Sequence, residues 1–241
     1  MLLGVNIDHV ATLRNARGGI EPDVISAVRI CKACNVASIT THLREDRRHI
    51  KDDDVIAIRK LPRIRLNLEM AMTQEMLDFA LKIRPHAVCI VPEKRQEVTT
   101  EGGLDVVSQL DWAIEFTKPL IEKNIEVSFF IDPDITQIAA VSKTKAPFIE
   151  LHTGRYSEAY GTIDEEKAFQ DLKGAAMFAK NLGLQVNAGH GLNYKNVHRM
   201  HEIPNLVELN IGHSIISRAV FVGLEQAVKE MKNLCERQQL L

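Results

Sequence analysis

The chain has 241 residues, of which 45% are hydrophobic, and this supports one large core or two small ones. Its 30 basic and 32 acidic residues nearly cancel, so the basic excess typical of nucleic-acid-binding proteins is absent. No apolar run approaches the roughly 20 residues of a membrane span, and the N-terminal residues lack the basic start of a signal peptide. The four cysteines are therefore expected to be reduced thiols of a cytoplasmic protein.

Short runs rich in Val, Ile and Leu recur along the chain without strict apolar–polar alternation. This pattern predicts parallel strands that are buried on both faces. The predicted strands are Leu2–Ile7, Val36–Thr40, Arg63–Leu68, Ala87–Val91, Glu126–Ile131, Phe148–Leu151, Leu184–Asn187 and Leu206–Ile211.

Amphipathic segments separate these strands and predict helices, because their apolar residues recur at helical spacing. The predicted helices are Pro22–Ala33, Val55–Arg59, Gln74–Ile83, Ser108–Lys123, Ile135–Val141, Glu165–Leu182, Tyr194–His201 and Val220–Leu234. Eight strand–helix units in one chain of this length predict an α/β fold, a (β/α)8 TIM barrel forming a single domain over residues 1–241. A doubly wound open sheet is disfavoured, because no G-x-G-x-x-G follows the first strand.

Titratable residues concentrate at the C-terminal ends of the predicted strands, where TIM barrels place their active sites. Of nine histidines, five occur there: His9, His42, His152, His190 and His213. The same ends carry Asn6, Asp8, Arg44, Glu69, Glu93, Asp132 and Glu150. Among apolar neighbours, Glu69 is expected to have a raised pKa suited to proton transfer. A structural ion pair is the alternative for Glu69, and a turn or helix cap is an equal alternative for Asp132.

Two kinds of anion site are expected. The run Thr41–His49 holds two histidines, three arginines and two acids, a density that suits anion binding beside proton transfer. Glycines flank His190 and precede His213 after the seventh and eighth strands, where barrel enzymes often bind phosphate with backbone N–H groups. Two phosphate sites would fit a reaction between two phosphorylated small molecules.

No metal-ligand spacing and no cofactor fingerprint occurs in the sequence, so we expect catalysis by side chains alone. The lone Cys31-x-x-Cys34 pair is interpreted as structural. Two long loops, 92–103 and 152–161, follow the fourth and sixth strands, and at least one is expected to close over substrate.

Seven motifs distributed over nearly the whole chain resemble the pyridoxine 5′-phosphate synthase family of vitamin B6 biosynthesis. They are G-V-N-I-D-H-V-A-T-L-R-N-A-R (4–17), H-L-R-E-D-R-R-H-I (42–50), N-L-E-M-A (67–71), V-P-E-K-R-Q-E-V-T-T-E-G-G-L-D (91–105), F-I-E-L-H-T-G (148–154), N-A-G-H-G-L (187–192) and E-L-N-I-G-H (208–213). The resemblance implies a cofactor-free barrel that condenses 1-deoxy-D-xylulose 5-phosphate with 3-amino-2-oxopropyl phosphate. The products would be pyridoxine 5′-phosphate, inorganic phosphate and water.

The resemblance also implies roles for individual residues. His42 and Glu69 would accept protons, His190 would donate one, and Glu150 would stabilise the transition state. The implied contacts to the deoxyxylulose phosphate are Asp8, His9, Arg44, His49 and Thr99, and those to the amino-ketone phosphate are Asn6, Arg17, Gly191, Gly212 and His213. The resemblance further implies a homo-octamer built from four dimers, and the sequence leaves open whether Arg17 serves its own barrel or a neighbour's.

The alternatives are a sugar-phosphate isomerase or aldolase and a non-catalytic scaffold. A sugar-phosphate aldolase on this fold would need a Schiff-base lysine at a strand end, and these ends have none, while an isomerase would leave the second basic cluster unused. A non-catalytic phosphate-binding scaffold would need the anion sites but neither Glu69 nor Glu150. Within the run Thr41–His49, residues 45–48 are expected to pair with one another and shape the loop.

Overall fold

The computed structural model describes residues 1–93 and 102–236. Eight parallel strands form a closed barrel in chain order, and the last strand pairs with the first. The strands are β1 Leu2–Asn6, β2 Ser38–His42, β3 Leu66–Met70, β4 Ala87–Ile90, β5 Glu126–Ile131, β6 Phe148–His152, β7 Gln185–Gly189 and β8 Leu206–Ile211. The predicted (β/α)8 barrel is confirmed.

Helices surround the barrel and bury their apolar faces against its outer surface. They are α1 Asp8–Arg17, α2 Val24–Ala33, α3 Asp52–Lys60, α4 Gln74–Ile83, α5 Leu110–Glu122, α6 Ile135–Lys143, α7 Gly154–Ala159, α8 Glu165–Asn181, α9 His213–Val222 and α10 Leu224–Glu236. Short 3-10 helices cover Val107–Gln109 and Val197–Glu202. Within the described ranges, no helix is both long and apolar enough to cross a membrane.

Several predicted boundaries were wrong. β2 and β3 each end two residues later than expected, because Thr41 and His42 continue the ladder opposite Leu68 and Glu69. The prediction ended both strands too early because their last residues include polar ones. Polar side chains are accommodated there because a barrel strand end faces the site rather than an apolar layer.

Some helices were also missed or merged. The single helix predicted over Val220–Leu234 is two helices, because Gly223 adopts a φ of 82° between α9 and α10 and so turns the chain in a conformation that favours glycine. The segment 152–161, expected as a loop, contains α7. The helix α1 was not predicted, because its buried stripe is only Asp8, Val10 and Ala11. Tyr194–His201 is replaced by the 3-10 helix Val197–Glu202.

The barrel lumen is polar where many TIM barrels stack branched apolar residues. Ser38 Oγ donates to Glu208 Oε1 at 2.8 Å, and Thr40 Oγ1 donates to Asn210 Oδ1 at 2.8 Å. Both bonds join β2 to β8 across the intervening β1. They are possible because β1 presents Gly4 there: a Cβ on Gly4 would lie 2.3 Å from Asn210 Oδ1. This hydrogen-bonded lumen leads directly to the C-terminal ends of the strands.

Candidate active site

The C-terminal strand ends bring together most of the residues predicted for the site. Asn6, His42 and Glu69 lie at or near the ends of β1, β2 and β3, and His42 is the in-register neighbour of Glu69. Asp8 opens α1 immediately after β1, and Glu150 lies on β6.

Three carboxyl groups form one electrostatic cluster. Asn6 Nδ2 donates to Asp8 Oδ2 at 2.8 Å and lies 3.4 Å from Glu69 Oε2. Burial and the neighbouring charges of Asp8 and Glu150 raise the pKa of Glu69 well above its ordinary value. Burial, only partly offset by the positive charge of His42, raises the pKa of Asp8 to about 6. The expectation of a raised pKa at Glu69 is confirmed, and no ion pair with an arginine occurs at this residue in the described part of the chain.

Glu150 connects the cluster to the lumen. Its Oε2 accepts a hydrogen bond from Asn210 Nδ2 at 2.7 Å and lies 3.7 Å from Cys89 Sγ. Burial raises the pKa of Glu150 to about 7, although the Asn210 hydrogen bond opposes the shift. A Cβ on Gly189 of β7 would lie 2.7 Å from Glu150 Oε1, so the glycine makes room for this carboxyl. Glu150 is therefore poised to change protonation near neutrality.

His42 is held by a carboxylate to which the sequence assigned no role. Its Nε2 lies 2.8 Å from Glu93 Oε1, and its backbone N–H donates to Asp8 Oδ1 at 2.9 Å. Glu93 Oε2 also accepts the Glu45 N–H at 3.0 Å. Burial alone would raise the pKa of Glu93, but the hydrogen bond and charge of His42 lower it overall. The signal was present in the sequence, since Glu93 follows β4 among the other strand-end acids.

Three further histidines line the mouth beside His42. His9 Nε2 lies 3.3 Å from His213 Nδ1, and the His42 and His49 ring centroids are 6.0 Å apart. Burial, followed by the charges of His42 and Arg44, lowers the pKa of His49 to about 3. Because His49 Nδ1 accepts the Ile50 N–H at 2.9 Å, its ring proton resides on Nε2, which is a donor for an anion. Burial and the charge of His213 also lower the pKa of His9.

His190 follows β7 in a strained turn. Its φ of 79° lies in the left-handed region, which a non-glycine residue occupies only when its surroundings enforce it. Burial, with the nearby charges of His152 and His213, lowers the pKa of His190 to about 4. Gly191 also has a positive φ, of 80°.

The two predicted phosphate-loop glycines pack too closely for side chains. A Cβ on Gly191 would lie 2.7 Å from Ser157 Cβ, and one on Gly212 would lie 2.8 Å from Asn6 Cβ. Gly212 immediately precedes α9, whose first residue is His213. Backbone N–H groups at the start of this helix are suited to bind an anion.

The loop after β2 is shaped by ion pairs, and the pairing expected within residues 45–48 occurs between Asp46 and Arg48. Asp46 pairs with Arg48 at 2.6 Å and with the buried Arg44 at 3.3 Å, while Arg47 pairs outside the run with Asp52 at 2.9 Å. Glu45 contributes its backbone N–H to Glu93. These contacts hold Arg44 beside the barrel mouth.

Two predicted residues are not placed in this site. Arg17 is exposed and is the last residue of α1, about 14 Å along the helix axis from Asp8. Thr99 lies outside the described residues, as does most of the loop 92–103 that was considered as a closing segment.

A second carboxylate–histidine pair lies beside His190. His152 Nδ1 is 2.8 Å from Asp132 Oδ1, and the His152 and His190 ring centroids are 5.1 Å apart. The sequence marks both residues as strand-end polar groups but predicts no role for either. Asp132 is thus a partner of His152, and the turn or cap interpretation does not account for it.

The arrangement provides acids and bases without an evident metal centre. In the ranges 1–93 and 102–236, no group of three or more His, Cys, Asp or Glu side chains is arranged to hold a metal ion. The buried carboxyls have raised pKa values and the buried histidines lowered ones. Burial thus favours the neutral, protonated form of these carboxyls and the neutral, unprotonated form of His49 and His190.

Comparison with known proteins agrees with the motifs. A family model described as pyridoxal phosphate biosynthesis protein PdxJ matches residues 3–237. A pyridoxine 5′-phosphate synthase of Neisseria meningitidis serogroup A is 54% identical over 241 residues, covering 100% of both chains. One from Idiomarina loihiensis is 53% identical over 235 residues, covering 98% of this chain and 97% of the relative.

A solved structure, 3-keto-L-gulonate-6-phosphate decarboxylase from Vibrio cholerae, superposes with a TM-score of 0.65 at 13% identity, covering 98% of this chain and 97% of the other. At that identity, the likeness shows a shared barrel fold. The family match and the two close relatives go further, and they show that this chain belongs to the PdxJ family of pyridoxal phosphate biosynthesis proteins.

Proposed function

We propose that this chain is a pyridoxine 5′-phosphate synthase that condenses 1-deoxy-D-xylulose 5-phosphate with 3-amino-2-oxopropyl phosphate at the barrel mouth. The observation that carries the proposal is the cluster of Asp8, His42, Glu69 and Glu150, in which three carboxyls and an imidazole share one buried site. The names of the close relatives support the product, pyridoxine 5′-phosphate. We place the protein in the cytoplasm.

The reaction needs several proton transfers and no redox step. The amine attacks a ketone, water and phosphate leave, and a carbon–carbon bond closes the ring, so protons must be removed from nitrogen and carbon and delivered to oxygen. His42 and Glu69 serve as proton acceptors, His190 as a proton donor, and Glu150 stabilises charge in the transition state. A histidine held by a carboxylate, as His42 is by Glu93, is suited to accept a proton, because the carboxylate stabilises the imidazolium that forms.

The resting protonation states are opposite to those that two of these roles require. Glu69 must be ionised to accept a proton, yet burial and its acidic neighbours raise its pKa. His190 must hold a proton to donate as a cation, yet burial lowers its pKa to about 4. The substrates supply the missing charges: an ammonium group favours the Glu69 carboxylate, and a phosphate dianion favours the His190 imidazolium. Substrate binding therefore sets the protonation states for the reaction.

Two anion sites divide the phosphates. Arg44 and His49, with Asp8 and His9 nearby, bind the deoxyxylulose phosphate, and Thr99 adds a contact. Gly191, Gly212 and His213, with Asn6, bind the amino-ketone phosphate largely through backbone N–H groups at the start of α9. No tightly bound cofactor takes part.

Arg17 is assigned to the site of a neighbouring subunit in a homo-octamer built from dimers. Its exposure at the end of α1 supports this assignment, since the side chain lies far from Asp8 of its own barrel. Exposed apolar residues on the same stretch, Leu13 at 52% and Ile20 at 84%, are consistent with an interface there.

The test is a reconstituted reaction with the purified chain, both phosphorylated substrates and no added cofactor. The expected result is pyridoxine 5′-phosphate and inorganic phosphate in equal amounts, measured by fluorescence and by a phosphate assay. Consumption of one substrate alone would instead indicate an isomerase or aldolase. Binding of both substrates without any turnover would indicate a phosphate-binding scaffold.

A further inference from the structure

The backbone of His190 is held by one buried residue at the end of β6. Thr153 Oγ1 lies 2.7 Å from the Gly189 carbonyl oxygen and 2.5 Å from that of His190. The Thr153 N–H donates to the Gly189 oxygen at 2.9 Å. Thr153 has no exposed surface, so water does not compete for these bonds. Thr153 thus contacts both peptide oxygens of the turn and stabilises the left-handed φ of His190.

The ring of His190 is held by the residue that precedes Thr153. The His152 ring meets it edge to face, with centroids 5.1 Å apart, and Phe130 packs 5.1 Å from His152 and 6.5 Å from His190. His152 is itself fixed by Asp132 at Nδ1 and is closely covered by Gly154, where a Cβ would lie 2.4 Å from His152 Nε2.

The imidazole of His190 has no hydrogen-bond partner among the described residues, whereas His42 is bonded to Glu93. Its orientation in the ligand-free protein therefore depends on the ring contacts and on the strained turn. His152 Nε2 is also buried and has no hydrogen-bond partner among the described residues.

We propose that Thr153 and His152, the latter oriented by Asp132, are the positioning residues of His190. Thr153 sets the backbone from which the imidazole projects, and His152 sets the plane of the ring. Neither residue is placed against reacting atoms. The inference rests on the proposed function for the role of His190, but the geometry that it describes exists without substrate.

The first test compares Thr153→Val with Thr153→Ser. Valine keeps the shape and removes the hydroxyl, and serine keeps the hydroxyl. We expect Thr153→Val to lower kcat by about tenfold or more with KM nearly unchanged, because a transition-state interaction is misplaced, while Thr153→Ser retains most of the activity. Equal activity of the valine variant and the wild type would overturn the role of Thr153.

A double-mutant cycle separates positioning from general structural support. In a His190→Asn background, adding Thr153→Val should cause no further loss of kcat, because the group that it positions is already absent. Loss by the same factor in both backgrounds would show that Thr153 acts through something other than His190, and the proposal would be wrong.

The role of His152 is tested with Asp132→Asn, and Asp134→Asn is the matched control. Asp134 lies two residues away and caps α6 by accepting the N–H groups of Thr136 and Gln137, a role that asparagine can keep. Asp132→Asn should shift the His190 ring resonances and the pH profile of kcat, and Asp134→Asn should move neither. Unchanged His190 resonances in Asp132→Asn would overturn the part assigned to His152.

The NMR measurement also separates the two proposals. It is made on full-length protein with labelled histidine and no substrate, so it reports the placement of His190 whether or not the chain makes pyridoxine 5′-phosphate. An inactive wild type would refute the proposed function. Unaltered His190 resonances in both Thr153→Val and Asp132→Asn would refute the positioning, even in an active enzyme.

Discussion

His42 and Glu69 are in-register neighbours on β2 and β3, so their side chains project from adjacent strands toward the same face of the sheet. One is bonded to the Glu93 carboxylate, and the other lies in an acidic, buried environment that raises its pKa. A single ladder position therefore holds, side by side, the two residues that we propose as proton acceptors, and their environments differ.

Glu69→Gln tests the carboxyl of this pair. Glutamine preserves size and can keep the hydrogen bond to Asn6, but it cannot accept a proton, so kcat should fall by about 10²–10⁴-fold. Binding of each phosphorylated substrate, measured by calorimetry, should remain. Glu126→Gln is the control, because Glu126 begins β5 at the opposite end of the barrel and pairs with Arg65. Wild-type turnover in Glu69→Gln would exclude Glu69 as an essential base.

Glu93→Gln tests the carboxylate that holds His42. The neutral amide can still hydrogen-bond, but it no longer stabilises an imidazolium, so kcat should fall by about tenfold or more. The comparison is Glu45→Gln, because the side chain of Glu45 is exposed and only its backbone N–H reaches Glu93. If both variants showed the same small loss, the bond between Glu93 and His42 would have no role in turnover.

The protonation of His190 should respond to phosphate. Burial holds its pKa at about 4 without ligand, and a bound dianion nearby should raise the pKa by about one to three units. Titration of labelled histidine by NMR, with and without saturating inorganic phosphate, measures the shift, and His190→Asn assigns the signal. A midpoint that stays constant while phosphate is bound would mean that the anion lies too far away to prepare His190.

The raised pKa of Glu150 predicts that the free energy of unfolding depends on pH. Its pKa rises from an ordinary 4.5 to about 7 on folding, so the folded protein keeps a proton that the unfolded chain releases as the pH rises. The stability that this group provides is full below pH 4.5 and is lost as the pH rises through 7. When the pH is raised from 5 to 8, the free energy of unfolding should therefore fall by about 2 kcal/mol more in the wild type than in Glu150→Gln. Denaturant unfolding of both proteins at pH 5 and at pH 8 measures the difference. An equal fall in the free energy of unfolding of both proteins would contradict the prediction.

Much of the fold was predictable because each strand–helix unit repeats one pattern. β5 and β8 agree with their predicted bounds, since each ends in an apolar residue, Ile131 and Ile211. The ends of β2 and β3 were not predicted, because His42 and Glu69 are polar residues that belong to the candidate site. The helix α1 was missed for the same reason: Asp8 and His9 open it with functional groups in place of an apolar stripe.

The sequence predicted which residues lie together at the strand ends better than it predicted the contacts between them. The motifs gave His42, Glu69, Glu150 and His190, but Glu93 and Asp132 became partners of histidines only through contacts between distant segments, 51 and 20 residues apart along the chain. No local spacing encodes such pairs. The strained φ of His190 was likewise hidden, although the glycines on either side marked the turn.

The polar lumen has a consequence for transplanting this chemistry. Thr40 orients the Asn210 amide, which in turn donates to Glu150, and the glycines at positions 4 and 189 leave the space for these bonds. A common barrel fills that space with branched apolar layers, which would leave a grafted Glu150 buried without its donor. Loops carrying the catalytic residues would therefore not suffice on such a scaffold, and the smallest portable unit includes the inner faces of β1, β2, β6, β7 and β8.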